Sequence, residues 1–209
     1  MSALQPLIEQ GFPAHLAEQI TAEILDQYGE EPCTREQAAA HEAGHWVVGD
    51  TLGLAPYRWL RVFRERGKWL GENIEVSPVS ANIFEDPDRY RVTALQVIAG
   101  FIGEAAAGHF HPSSSIDERI RLEASCAGLS QLYGGRPEAL LAGAMVTVAE
   151  IIQARQDDFY LVRRHLERER RILRPRLDAL SRPNRDTWLL RWDRLSHGIE
   201  QRGRRLGHG

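Results

Sequence analysis

The sequence predicts a mainly helical α+β fold with one small β-sheet. Two stretches open with a capping box, in which a Ser or Thr is followed three residues later by a side chain that can answer its backbone N–H. They are Thr34-Arg35-Glu36-Gln37 and Ser115-Ile116-Asp117-Glu118. Apolar residues recur at helical spacing along most of the chain, and only residues 59–63 and 69–76 read as strands.

Taken in order, residues 1–32 are expected to form a small helical element. Its second helix carries Leu16, Ile20, Ile24 and Tyr28 on one face and is closed by Gly29 and Pro32. Thr34 then caps a helix that runs through three alanines to about Leu52, with Gly53 as the stop. The two strands turn at Gly67, and Pro78 and Pro87 bracket a loop. Helical spacing resumes over residues 89–107, and the second capping box opens a helix to about Leu132. After Gly134, Gly135 and Pro137 a single long helix is expected from about Glu138 towards Leu173. Pro183 precedes a last helix with Trp188, Trp192 and Leu195 on one face, a spacing more typical of core than of a partner-binding stripe, and the tail from Gln201 is expected to fray. The expected divisions are 1–32, 33–174 and 175–209.

Composition excludes several functions. With 209 residues, 43% hydrophobic and 26% charged, the chain is neither disordered nor membrane-like. Its longest apolar run, residues 139–152, is short of the roughly 20 residues that a bilayer needs, so no spanning helix is expected. The N-terminus lacks the basic start and apolar centre of a signal peptide, and Cys33 and Cys126 make no disulfide framework, so a cytoplasmic location is expected. The only lysine, Lys68, is followed by Trp69, so the sequence holds no Walker A loop. Residues 1–154 carry 11 basic and 21 acidic side chains and residues 155–209 carry 15 and 8, an acidic front and a basic end beneath a net charge of −3. Acids interleave the arginines of that end, which suits a solvated or internally paired helix better than a phosphate track, so no nucleic-acid partner is expected.

His41-Glu42-Ala43-Gly44-His45 fits H-E-x-x-H. Residues four apart share a helix face, so both imidazoles can reach one cation, while Glu42 can hold and deprotonate a water beside it. Zinc hydrolases take three protein ligands and keep a fourth position open. Thr51 stands where the metzincin extension requires histidine, which leaves Glu104, Asp117, His109 and His111 as candidates for the third ligand. Glu104 is alternatively a group that orients a ligand histidine. Leu70 to Val76 is the candidate edge strand for a peptide substrate.

Over about residues 34–172 the sequence resembles the zinc peptidase domain of the FtsH-type ATP-dependent metalloproteases. The alanine-rich HEAGH segment at residues 41–45 is similar to that family's active-site helix. Leu60-Arg61-Val62, Arg66-Gly67 and Leu70-Gly71 resemble its strand, turn and second strand, Ala99-Gly100 with Glu104-Ala105-Ala106 its AGR-x-AEE helix, and Ser113-Ser114-Ser115-Ile116-Asp117 its GASxD segment. Phe101 departs from the family's arginine, Ser113 from its glycine and Arg121 from a small residue. The resemblance implies a zincin-like peptidase domain with a small sheet beside the HExxH helix and a helical C-terminal region. It implies Zn2+ on His41, His45 and Asp117, Glu42 as catalytic base, and polypeptide substrates. It also implies a separate ATPase or adaptor where folded substrates are to be degraded, and leaves the oligomeric state open. The alternative expectation is a zincin-fold binding or regulatory protein with idle peptidase chemistry.

Overall fold

The structure, a computed structural model, describes residues 33–54, 57–75, 87–111 and 116–206, together with residues 22, 23, 26 and 27. The expected N-terminal helices therefore lie outside the described residues apart from those four positions, as does most of the loop between Pro78 and Pro87.

Helix α1 (Arg35–Thr51) runs through the middle of the fold. The Thr34 hydroxyl accepts from the Gln37 backbone N–H, as the capping box predicts, and Gly53 ends the helix at φ +69°, a conformation that disfavours a side chain. Ala38, Ala39, Ala40, Ala43, Trp46, Val47 and Val48 are all buried, although they do not share one face. A helix buried all round has to be covered on every face. The cover comes from a sheet and from the helices that follow.

Strands β1 (Tyr57–Glu65) and β2 (Lys68–Glu75) form an antiparallel hairpin. Its two-residue turn has positive φ at both Arg66 (48°) and Gly67 (87°), the geometry that matches strand twist. Leu60 and Val62 face inward and are buried, so their direct partners Asn73 and Gly71 also face α1. A third strand, β3 (Arg171–Leu173), pairs with the other side of β1, giving the order β2-β1-β3.

Helices α2 (Pro87–Val97) and α3 (Ala99–Ala106) follow, then α4 (Ile116–Tyr133) and α5 (Pro137–Ala154), the last with proline in its first turn. The single helix expected from Glu138 to Leu173 is instead α5, a break at Arg155, α6 (Gln156–Glu169) and β3. Arg155 leaves helical geometry at φ −118° and ψ 31°, and Arg170 stops α6 in the left-handed region at φ 61°, after which Ile172 enters the sheet core. A short α7 (Arg174–Asp178) begins around Pro175, and α8 (Arg185–Leu206) extends through the tail expected to fray. Helix α8 lies along α5; Trp192 is 1% exposed there and its indole N–H donates to the Leu140 carbonyl at 2.9 Å. By length and composition α5 is the one described helix able to cross a membrane, with mean hydropathy 1.3. The sequence expectation of no spanning helix rests on the run 139–152, which contains Thr147 and Glu150, whereas the full helix is longer than that run; here Ala144, Val148, Ile151 and Ile152 are buried against its neighbours.

The acidic front and basic end meet inside the fold. Arg155, with a 9% exposed side chain, donates to Asp50 at 2.6 Å, Asp158 at 2.9 Å and the Leu180 carbonyl at 2.8 Å. Asp50 also accepts from the backbone N–H of Arg182 and from Ser181. Breaking a buried pair leaves an uncompensated charge, so Arg155→Ala should lower unfolding free energy by about 3–5 kcal/mol, read from urea denaturation.

Candidate metal centre

The site begins with a close crossing of α1 and α3. A Cβ on Gly44 would overlap the Ala99 carbonyl oxygen, and one on Gly103 would lie 2.6 Å from the Ala40 carbonyl oxygen. Bare backbone therefore meets bare backbone. A Cβ on Gly100 would fall within 3.0 Å of three atoms of the His41 ring, so the imidazole rests directly on α3. One turn further along α3, Glu104 reaches its edge.

Both imidazoles are oriented by their Nδ1 atoms. His41 Nδ1 is 2.8 Å from Glu104 Oε1, and the other Glu104 oxygen accepts from Gln37 at 3.0 Å. His45 Nδ1 is 3.0 Å from the Gln96 carbonyl. A carbonyl only accepts, so His45 Nδ1 carries its hydrogen and the neutral ring keeps its lone pair on Nε2; the carboxylate of Glu104 imposes the same tautomer on His41.

The two Nε2 atoms point at one place. They lie 3.0 Å apart, and Glu118 Oε1, from the first turn of α4, is 2.8 Å from His45 Nε2 and 3.2 Å from His41 Nε2. These lengths approach the edge of about 3.3 Å expected for a tetrahedral ion with bonds of about 2.0–2.1 Å. Three hydrogen bonds cannot close so small a triangle with good angles, whereas one cation can satisfy all three atoms. Glu118 Oε2 is buried with no hydrogen-bond partner, which further suits a metal-ligating carboxylate. Among the described residues, His41, His45 and Glu118 form the group close enough to hold a metal ion.

Glu42 is buried beside the group, 3% exposed. Its Oε2 accepts from Asn73 Nδ2 at 3.1 Å, and its carboxyl lies over Gly71 of β2. Burial raises the Glu42 pKa above the ordinary range, against the opposing pull of His41, His45 and the Asn73 hydrogen bond. For Glu118, burial acts upward too but is outweighed by His41 and His45, which hold the carboxyl well below its usual range. For His41, burial alone would lower the pKa, but the charge of Glu118, with hydrogen bonds to Glu104 and Glu118, carries it well above 6.5.

His41, His45 and Glu42 are thus brought together as expected from the motif. Glu104 is bonded to His41 Nδ1 and lies outside the three-residue group, and His109 accepts from Arg163 on α6. His111 is likewise outside the group. Asp117 is the second residue of α4, but its side chain, like residues 112–115, lies outside the described residues. Glu118, the third member of the group, is not among the sequence candidates. The signal was present: Glu118 lies i, i+4, i+8 and i+11 with the buried Leu122, Cys126 and Leu129, the inward face of α4. No protein-family model matches this sequence, and no curated protein matches it.

Two measurements check this geometry. Metal titration of Glu118→Ala should show affinity for a divalent ion lowered about 100-fold or more, with Asp117→Ala near wild type; the reverse pattern would return the third position to Asp117. Metal binding needs a neutral His41, and its raised pKa makes the entering ion displace a proton. Affinity should therefore fall as pH falls, over a range lying above that of an ordinary imidazole, as chelator competition at a series of pH values would show.

Proposed function

We propose that this chain is a zinc-dependent endopeptidase of the FtsH-like, zincin type, acting on unfolded or flexible polypeptides. The observation that carries the reading is the convergence of two Nδ1-anchored imidazoles and one carboxylate beside the buried Glu42. Two imidazoles and a carboxylate with one position left open are the donor set of catalytic zinc.

When bound, zinc would supply Lewis acidity to polarise the scissile carbonyl and acidify the attacking water. Glu42 would take a proton from that water and return it to the leaving amine, for which a carboxylate with a raised pKa is suited. Glu104 and the Gln96 carbonyl would keep the two histidines aimed through the cycle. Strand β2 is at the sheet edge among the described strands, apart from one bond from Trp69 N–H to the Cys33 carbonyl, and its inner face meets Glu42. An extended substrate adding to that edge would lie beside the base, and such pairing reads backbone rather than sequence. The sequence holds no P-loop, so folded substrates would require a separate ATPase or adaptor.

The test is casein cleavage with parallel zinc analysis. Wild type should bind about one zinc and cleave casein; Glu42→Gln should keep the zinc and lose about 10²–10⁴-fold in rate. Full activity in Glu42→Gln would reject the assigned base, and a zinc-free wild type with no cleavage would reject the peptidase reading.

A further inference from the structure

We propose that Gly71 and Asn73 of β2 are positioning residues that hold the Glu42 carboxylate in place for proton transfer. The proposal rests on the peptidase reading for the role it gives Glu42, but the contact itself stands independently of turnover.

The sequence of β2 is Lys68-Trp69-Leu70-Gly71-Glu72-Asn73-Ile74-Glu75. Alternation along the strand puts Gly71 and Asn73 on the same face, and their pairing with the buried Val62 and Leu60 fixes that face inward. The two positions treat the two carboxylate oxygens differently. Asn73 Nδ2 donates to Oε2 at 3.1 Å. At residue 71, a Cβ would fall within 3.0 Å of Oε1, Cγ and Cδ together. One oxygen is held by a donor, and the other occupies space that a side chain on β2 would fill.

The reason for glycine at 71 is therefore spatial. The glycines in turns and helix ends here have positive φ, at residues 53, 67, 108, 134 and 135, but Gly71 is not among them. Its backbone suits any residue, and the nearest atoms a side chain would meet all belong to Glu42. Register completes the device. The two-residue turn at Arg66-Gly67 sets the hairpin pairing, and a slip of one residue would swing both Gly71 and Asn73 to the outer face. A glutamate has three side-chain torsions, and the placement seen here needs both the space at Gly71 and the Asn73 donor; misplacement by about 1 Å can cost about 100-fold in rate.

The experiment has two arms on the full chain. In the first, melting temperatures are measured for wild type, Gly71→Ala, Glu42→Ala and the double variant. Gly71→Ala should lower the melting temperature by at least about 5 °C in wild type and by about 1 °C or less when Glu42 is already truncated. Equal losses in both backgrounds would overturn the proposal. In the second arm, the near-isosteric and uncharged Asn73→Leu removes the donor without adding a charge beside Glu42. It should lower kcat on casein about 100-fold with KM and zinc content unchanged, and add no further loss in Glu42→Gln. Wild-type kcat in Asn73→Leu, or a loss confined to KM, would overturn it. The melting cycle needs no turnover, so an inactive wild type would reject the peptidase reading while leaving the Gly71–Glu42 contact measurable. A cycle without coupling would reject the rest on β2 while leaving the peptidase reading standing.

Discussion

Ala40, Gly44, Ala99 and Gly103 let the backbones of α1 and α3 touch, and that contact places Gly100 under the His41 ring and Glu104 at its edge. Were the helices separated by ordinary side chains, Glu104 would lose the Nδ1 edge of His41 and Gly100 would no longer support its ring. The approach is possible because residue 44, between the two histidines, has no side chain, and because the alanines before them are small. Small residues here serve aim as much as packing: they convert a helix crossing into a fixed direction for two lone pairs.

The same economy appears on the sheet side. Leu60 and Val62 contribute apolar burial, while their partners Asn73 and Gly71 contribute a hydrogen bond and a gap. Glu42 is thus enclosed between a helix that carries it and a strand that receives it. Burial of a carboxylate without such partners would be strongly unfavourable. The neighbouring imidazoles and the Asn73 amide offset that desolvation without removing it, which is why the group remains shifted upward.

Much of this was legible in the sequence, for local reasons. The Thr34 cap, the Gly53 stop, the Gly67 turn and the spacing of His41 and His45 are decided within a few residues, and each appears where the pattern places it. The break at Arg155 was not legible, because arginine is a good helix former and its buried partner Asp50 is more than a hundred positions away. Strand β3 was hidden likewise, since Ile172 joins the sheet through pairing with Leu60, which no local period reports. Glu118 was obscured by its place in a capping box, where an acid already has an explanation. Its alignment with Leu122, Cys126 and Leu129 was the clue, and it requires knowing which face of α4 turns inward.

Helix α1 is tied at both ends: at its start by Thr34 and by Gln37 bonded to Glu104, at its finish by Asp50 locked to Arg155 and by Asn184 N–H donating to the Thr51 carbonyl. Strand β2, by contrast, has a neighbouring strand on one side only among the described strands. The two elements that hold Glu42 are consequently secured unequally: the helix that bears it is an anvil, and local yielding falls to the hairpin opposite. Such yielding would carry Gly71 and Asn73 with it and so loosen the grip on the glutamate.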